Sequence, residues 1–512
     1  MAGIDTNEKT RLMRDGTIHA LGLVLSSVAG LILVPLMVHG LGTEGYGLWA
    51  AAMAAVGIFG AFDLGLRLII VRDLAGDSHS TRAAAVRMML WIHGGIGTLA
   101  AIAVALGGFV ASSHLHLSPT ARSLAPVVFV LAGASCFFDQ LFAYALSVLA
   151  GLRRFDLLNL FSIVISLLRL ALFAGALALG KGVATIVGLQ LLISALSVLC
   201  GLAFIATSAP DLRPRLEPLR WEVLREPLGF GALSQAATSI SSLQMPVSTL
   251  LISVINGAAA VTPFTIGQKF PGLVSGLTWR TAEVFFPVAS RQRHGSDIDA
   301  EAFLSTISRW LVLVITPCAI GVFLIAPLLL RTWMGEVNPV ALAVLRIASL
   351  SVVVETMIPG AVQLFFGAGK TRPVLVVNVA TMLADIALAL VLLPRMGATG
   401  AAWATLGSTT LAAVFFLSLA SARRKVRSVS VLSQVLRRLL PVLAISLLPA
   451  YLLARMVTAR SWPVVIGIVA LSAALYILFL WRYSASREEK RFLSTIFRRQ
   501  EPAQESKGVG EN

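Results

Sequence analysis

Residues 361–388 read AVQLFFGAGKTRPVLVVNVATMLADIAL. At the centre, FFGAGKTRP (365–373) carries the Gly-Lys-Thr of a phosphate-binding loop. That loop needs a glycine five positions before Gly369, where this chain has Leu364. It also needs a strand in front, to bring a row of backbone N–H groups to the phosphates, and a helix behind. Here both flanks are long and apolar, each able to cross the roughly 30 Å hydrocarbon core of a bilayer as a helix. The stretch therefore reads as helix, glycine-basic turn, helix, and the phosphate-loop reading fails.

The rest of the chain supports that reading. Of 512 residues 57% are hydrophobic and only 13% charged, with a mean hydropathy of +0.86. Apolar windows long enough to span recur from end to end, which predicts an all-α polytopic membrane protein. An outer-membrane barrel is excluded, because it would show short alternating segments. The three cysteines, Cys136, Cys200 and Cys318, fall inside apolar runs and have no disulfide or metal-ligand spacing. The opening MAGIDTNEKTRLMRDG has no short apolar region, so no signal peptide is expected.

About fourteen spans are predicted, with both termini on one side. The domain reading is a tail (1–16), a six-helix bundle (17–206), a polar linker (207–228), a second bundle (229–422), a basic linker (423–438), two extra spans (439–482) and a polar tail (483–512). With the N-terminus inside, most of the 41 Lys and Arg fall on the cytoplasmic side, as the positive-inside rule requires. The net charge of +16 is thus a topology signal and a contact for anionic lipid headgroups, not a nucleic-acid site.

The quoted turn has a partner. ALSVLAGLRRFDLLNLFSIVISLLRLAL (145–172) has the same design, and an offset of 216 sets Gly151 on Gly367, Arg154 on Lys370 and Arg169 on Asp385. The next turns, LALGKGVATIVGL and LPRMGATGAAWATL, correspond at an offset near 217. Six helices per repeat is an even number, so the two bundles point the same way, related by an axis along the membrane normal.

The stretch 41–76, LGTEGYGLWAAAMAAVGIFGAFDLGLRLIIVRDLAG, resembles the front end of the polysaccharide-biosynthesis flippases. These are the Wzx-type relatives of MATE exporters and lipid II flippases in the MOP superfamily. The resemblance rests on Leu41-Gly42, Glu44, Tyr46-Gly47, Trp49 and Asp63-Leu64-Gly65-Leu66, with Arg67 and Arg72 behind them. It implies two MATE-like lobes around a central cavity. They would rock between inward-open and outward-open states while an undecaprenyl-diphosphate oligosaccharide crosses, without a cofactor. It also implies a bacterial inner membrane, membrane-lipid contacts, and a polysaccharide polymerase or chain-length regulator as partner.

Charges within spans are costly and are functional candidates by default. Span eight, placed at 259–290, is the most informative. At 100° per residue Lys269, Leu273, Gly276, Arg280 and Glu283 share one face, with Gly272 and Gly276 leaving it open and Pro263 and Pro271 expected to bend it. A cationic stripe beside a gap suits a diphosphate, since guanidinium binds it bidentately and lysine as a point charge. The plainer alternative is that Arg280 and Glu283 neutralise each other. Arg169 and Arg346 complete the cationic cavity candidates. Arg169 either pairs with Asp385 across the lobes or faces the cavity alone, whereas Arg346 and Glu355 project to opposite sides of their helix. Asp139, Glu283, Glu355, Asp385 and Asp63 are the ion-coupling or gating candidates, Asp63 with a local partner in Arg67. Trp91, Trp279, Trp333 and Trp403 are expected as interfacial anchors.

Three rivals stay open. Asp297-Ile298-Asp299 imitates the metal-binding DxD of sugar transferases, but its loop is too short for a nucleotide-sugar domain. A MATE-like exporter of organic cations, coupled to Na⁺ or H⁺, would share the core yet want an acidic cavity. A lipid II flippase would share the fourteen spans.

Overall fold

In a computed structural model the described residues are 6–61, 70, 79–114, 116–213, 236–290, 300–424, 428–457 and 461–484. They form helices and turns. The first half holds α1 (Thr6–Gly60), α2 (His79–His114), α3 (Pro119–Gly151), α4 (Phe155–Ala178) and α5 (Val183–Ser208). The second holds α6 (Ala236–Ser242), α7 (Gln244–Ile255), α8 (Ala258–Glu283), α9 (Phe286–Ser290), α10 (Ala300–Met334), α11 (Pro339–Glu355), α12 (Ile358–Gly367), α13 (Thr371–Met396) and α14 (Ala398–Arg424). Two further helices, α15 (Ser428–Met456) and α16 (Trp462–Phe479), pack against α10, where the buried Tyr476 hydroxyl donates to the Leu313 carbonyl at 2.7 Å.

Among the described residues nine helices are long and apolar enough to cross a membrane, or eleven if each of two bent pairs is one span. The pairs are α6 with α7, bent by 41°, and α11 with α12, bent by 42°. The first of the nine covers Val24–Gly60 and divides at Gly42, whose φ of 73° lies outside the helical range. With that division, α8 and the shorter apolar run Pro441–Met456 fill the remaining places of the fourteen expected spans. Span eight is shorter than predicted: α8 ends at Glu283, and 286–290 form a separate short helix. It runs unbroken through Pro263 and Pro271.

The repeat is visible in the backbone. Arg153 (φ 57°) pairs with Gly369 (71°), Gly42 (73°) with Gly257 (88°), and Gly180 (68°) with Gly397 (60°), at offsets of 216, 215 and 217. The α3–α4 turn closes with Arg153 N–H to Ala150 O at 3.0 Å and Arg154 N–H to Leu149 O at 2.9 Å. The α12–α13 turn repeats these bonds as Gly369 N–H to Phe366 O at 2.9 Å and Lys370 N–H to Phe365 O at 2.8 Å. Both are left-handed helix caps of the Schellman kind. GAGKTRP is therefore a helix stop. Starts are equally local: Ser118 and Asn338 cap helices that open with Pro119 and Pro339.

The two halves are joined at one end. A single apolar cluster there combines Met37, Tyr46 and Phe173 of the first half with Val261, Trp333 and Ala401 of the second. At the opposite end, which carries the two basic turns, the clusters are separate among the described residues. One, around Tyr144 and Ile205, belongs to the first half; the other, around Ile307 and Phe365, belongs to the second.

Candidate functional site

Helix α8 runs from the joined end toward the end that carries the basic turns. Near its start the Thr262 hydroxyl donates to the Thr43 carbonyl of the first half at 2.6 Å, and Val261 and Phe264 are buried in the shared cluster. Lys269, Leu273, Gly276 and Arg280 follow on the same face, within about 40° of Thr262 at 100° per residue. The face that touches the first half at the top is therefore the face that carries the cations lower down. From Gly272 onward it is uncovered. Gly272, Leu273, Gly276, Arg280 and Glu283 are exposed, and a β-carbon built on Gly272 or Gly276 meets nothing within 4 Å.

Lys269 is half-buried and has no ion-pair partner among the described residues. Arg280 and Glu283, at i and i+3, do not pair either, so the mutual neutralisation weighed from the sequence is not formed. The opposite side of α8 is fastened to α11. Trp279 donates its indole N–H to Glu355 Oε1 at 2.5 Å, and Ser275 donates to the same oxygen at 2.9 Å. Glu355 is the last residue of α11 before its bend into α12. The bonds fix the rotation of α8 and so aim its cationic face away from the second half.

Trp279 is thus an internal donor and not the interfacial anchor expected. Trp333 departs in the same way: it is 7% exposed, packs edge-on against Phe270 at 5.0 Å and donates to the Leu31 carbonyl at 2.8 Å across the halves. Trp91 and Trp403 are exposed. Arg346 points toward α10, its guanidinium 5.5 Å from the Phe323 ring centre and its buried Nε without a hydrogen bond. It lies on the far side of α11 from Glu355, as the sequence spacing implied.

Arg169 and Asp385 occupy matching places but do not pair. Asp385 is fully buried within its own half, where it accepts from Gln244 Nε2 at 3.1 Å, Ser408 Oγ at 3.0 Å and Ser248 Oγ at 3.3 Å. Arg169 has Asp139 as its electrostatic partner, and Asp139 meets the Ser194 hydroxyl. The Arg169 Nε is buried and unbonded. An opposite-charge pair across the lobes is therefore replaced by one polar nest in each half. Gln244, Ser248 and Ser408 were not singled out from the sequence. The spacing of Gln244 and Ser248, one turn apart on an apolar helix, was the signal available. Asp63, and the Asp297–Asp299 pair, lie outside the described residues.

The chain thus forms two parallel lobes joined at one end, and among the described residues Lys269 and Arg280 have no ion-pair partner. The fold is similar to that of the lipid II flippase MurJ in an inward closed conformation (TM-score 0.72, 14% identity, 94% of this chain and 99% of that one). It also resembles an outward-facing multidrug MATE transporter (0.57, 17%, 81% and 95%). A third likeness is to a MOP-superfamily transporter from Pyrococcus furiosus described by the reverse polarity of its binding pocket (0.52, 17%, 80% and 93%). No curated protein matches the chain in sequence. The family model for polysaccharide biosynthesis proteins matches residues 12–293, more than half of the chain, and the chain belongs to that family.

Proposed function

We propose that this protein is a flippase that carries an undecaprenyl-diphosphate oligosaccharide from the cytoplasmic to the outer leaflet of a bacterial plasma membrane by alternating access, for O-antigen, capsule or exopolysaccharide assembly. The observation that supports this reading is the face of α8: Lys269 and Arg280, with no ion-pair partner among the described residues, lie in line with Thr262, which is bonded to the other half, beside the open Gly272 and Gly276. Two cations about 16 Å apart along a helix suit an anionic headgroup and its first sugars, and would repel an organic cation. Membership of a polysaccharide-biosynthesis family supports the same cargo.

Sidedness follows from the basic turns at Arg153/Arg154 and Lys370/Arg372, which the positive-inside rule sets in the cytoplasm with both termini. The joined end is then the outer one, closed in the state described. Arg169 and Arg346 are second-rank cationic contacts. Asp385, Asp139 and Glu355 are the acids whose protonation would reset the empty carrier, with Glu283 and, from the sequence alone, Asp63 as gating candidates. Outward passage of a dianionic headgroup follows the membrane potential, at most about 2.3 kcal/mol per charge per 100 mV, so no nucleotide is required. The released cargo would pass to a polymerase or chain-length regulator.

Cells lacking the protein test the reading through the leaflet in which labelled lipid-linked sugars collect. Cytoplasmic-leaflet build-up of one undecaprenyl-diphosphate oligosaccharide is expected. Build-up of lipid II instead, or altered sensitivity to cationic dyes with no build-up, would overturn it.

A further inference from the structure

The stretch LGTEGYGLW (41–49) sits where the two halves meet. Its carbonyl at Thr43 accepts from Thr262, and the Tyr46 side chain is hydrogen-bonded to Thr265. Gly47 lies flush against the Ala258 backbone, so a β-carbon there would overlap the Ala258 carbonyl. The Ala258 side chain is planted in the first half's own cluster, with Leu48, Ala52 and Val128. Behind the seam Glu44 holds the 116–118 loop: Oε1 accepts from Ser118 N–H at 2.6 Å and Oε2 from its hydroxyl at 2.7 Å. That loop presses His116 onto Gly257, where a built β-carbon would stand 3.2 Å from the His116 β-carbon.

We infer that residues 43–47, braced by Glu44 on Ser118, are a releasable clasp that shuts this end of the carrier, and that these residues grip the other half and not the cargo. The inference rests on the alternating-access reading above. Three features suit a contact made and broken in each cycle. The bonds across it are few and neutral, and it contains no ion pair among the described residues. Its fit comes from a bare glycine on a backbone carbonyl, which is lost all at once when the surfaces separate. Glu44 keeps both of its bonds within the first half, so opening leaves no carboxylate unbonded. Gly47 is needed because only a residue without a β-carbon admits this approach.

The test uses the full chain in membranes, with Cys136, Cys200 and Cys318 replaced by alanine and a reporter at Ala50→Cys, which is buried in the shared cluster. Gly47→Ala is expected to raise the rate of maleimide labelling at the reporter roughly tenfold, by prising the seam apart. A disulfide between His116→Cys and Gly257→Cys, whose β-carbons need shift only a few tenths of an ångström although residue 257 must leave or bear a φ of 88°, is expected to suppress that labelling and stop transport, with both restored by reductant. Recovery on reduction shows that the double variant folds. Tyr46→Phe, which keeps the ring and loses the bond, gives an intermediate labelling rate. Unchanged labelling in Gly47→Ala, or full transport with the disulfide formed, would overturn the clasp. Because labelling depends on neither cargo nor sidedness, a failed clasp and a failed flippase reading give different results.

Discussion

Thr262 and Arg280 stand on one line of α8, five turns and about 27 Å apart. The first is bonded to the opposite half through the Thr43 carbonyl, and the second carries a guanidinium with no ion-pair partner among the described residues. One helical face therefore serves as seam at the top and as cationic wall below. Arg280→Ala is predicted to lower transport roughly tenfold to a hundredfold at unchanged protein amount, the loss expected for charge-assisted bonds of about 1.5–3 kcal/mol. Arg280→Lys should fall between, keeping the charge without the bidentate fork. Normal transport by Arg280→Ala would remove it from the site.

Glu355 aims that face by accepting from Trp279 and Ser275. Glu355→Gln keeps an acceptor oxygen and is predicted to leave thermal unfolding close to wild type. Glu355→Ala strands the indole N–H and should cost about 1–3 kcal/mol. Equal melting of the two variants would show that these bonds do not hold the helix.

Asp385 is surrounded by donors that an amide can still satisfy in part, so Asp385→Asn is predicted to fold normally. Its transport, measured with and without an ionophore, should no longer respond to the ion gradient. A wild-type response in the variant, or a wild-type protein indifferent to collapsed gradients, would take Asp385 out of the coupling step.

Arg153 holds the left-handed cap position that Gly369 holds in the second half. A side chain in that conformation costs about 1–2 kcal/mol. Arg153→Gly should therefore raise stability by about 1 kcal/mol and Gly369→Ala lower it by a similar amount, read from thermal unfolding in detergent. Opposite signs would show that the two caps are not equivalent.

Much of this was legible in the sequence because it is written locally. A glycine or basic residue after an apolar run marks a helix stop, so Gly151/Arg154 and Gly367/Lys370 display the repeat in the sequence itself. The 3.6-residue period likewise put Lys269 and Arg280 on one face. Contacts between distant helices leave no such trace. Trp279 and Trp333 near span ends look like interfacial anchors, yet each spends its N–H on a partner 76 and 302 positions away. The matched depth of Arg169 and Asp385 suggested a pair, but depth does not report the lobe toward which a side chain turns. The bend after Glu355, by contrast, does have a local signal: Pro359 has no N–H for the Glu355 carbonyl, and its ring pushes that carbonyl out of the helical ladder.

The most direct test is made on purified protein in vesicles holding a fluorescent polyprenyl-diphosphate oligosaccharide, with an impermeant quencher added outside. The account predicts protein-dependent loss of the protected fraction, weakened by Arg280→Ala. Protection equal to that of empty vesicles, with a cationic dye moved instead, would contradict it.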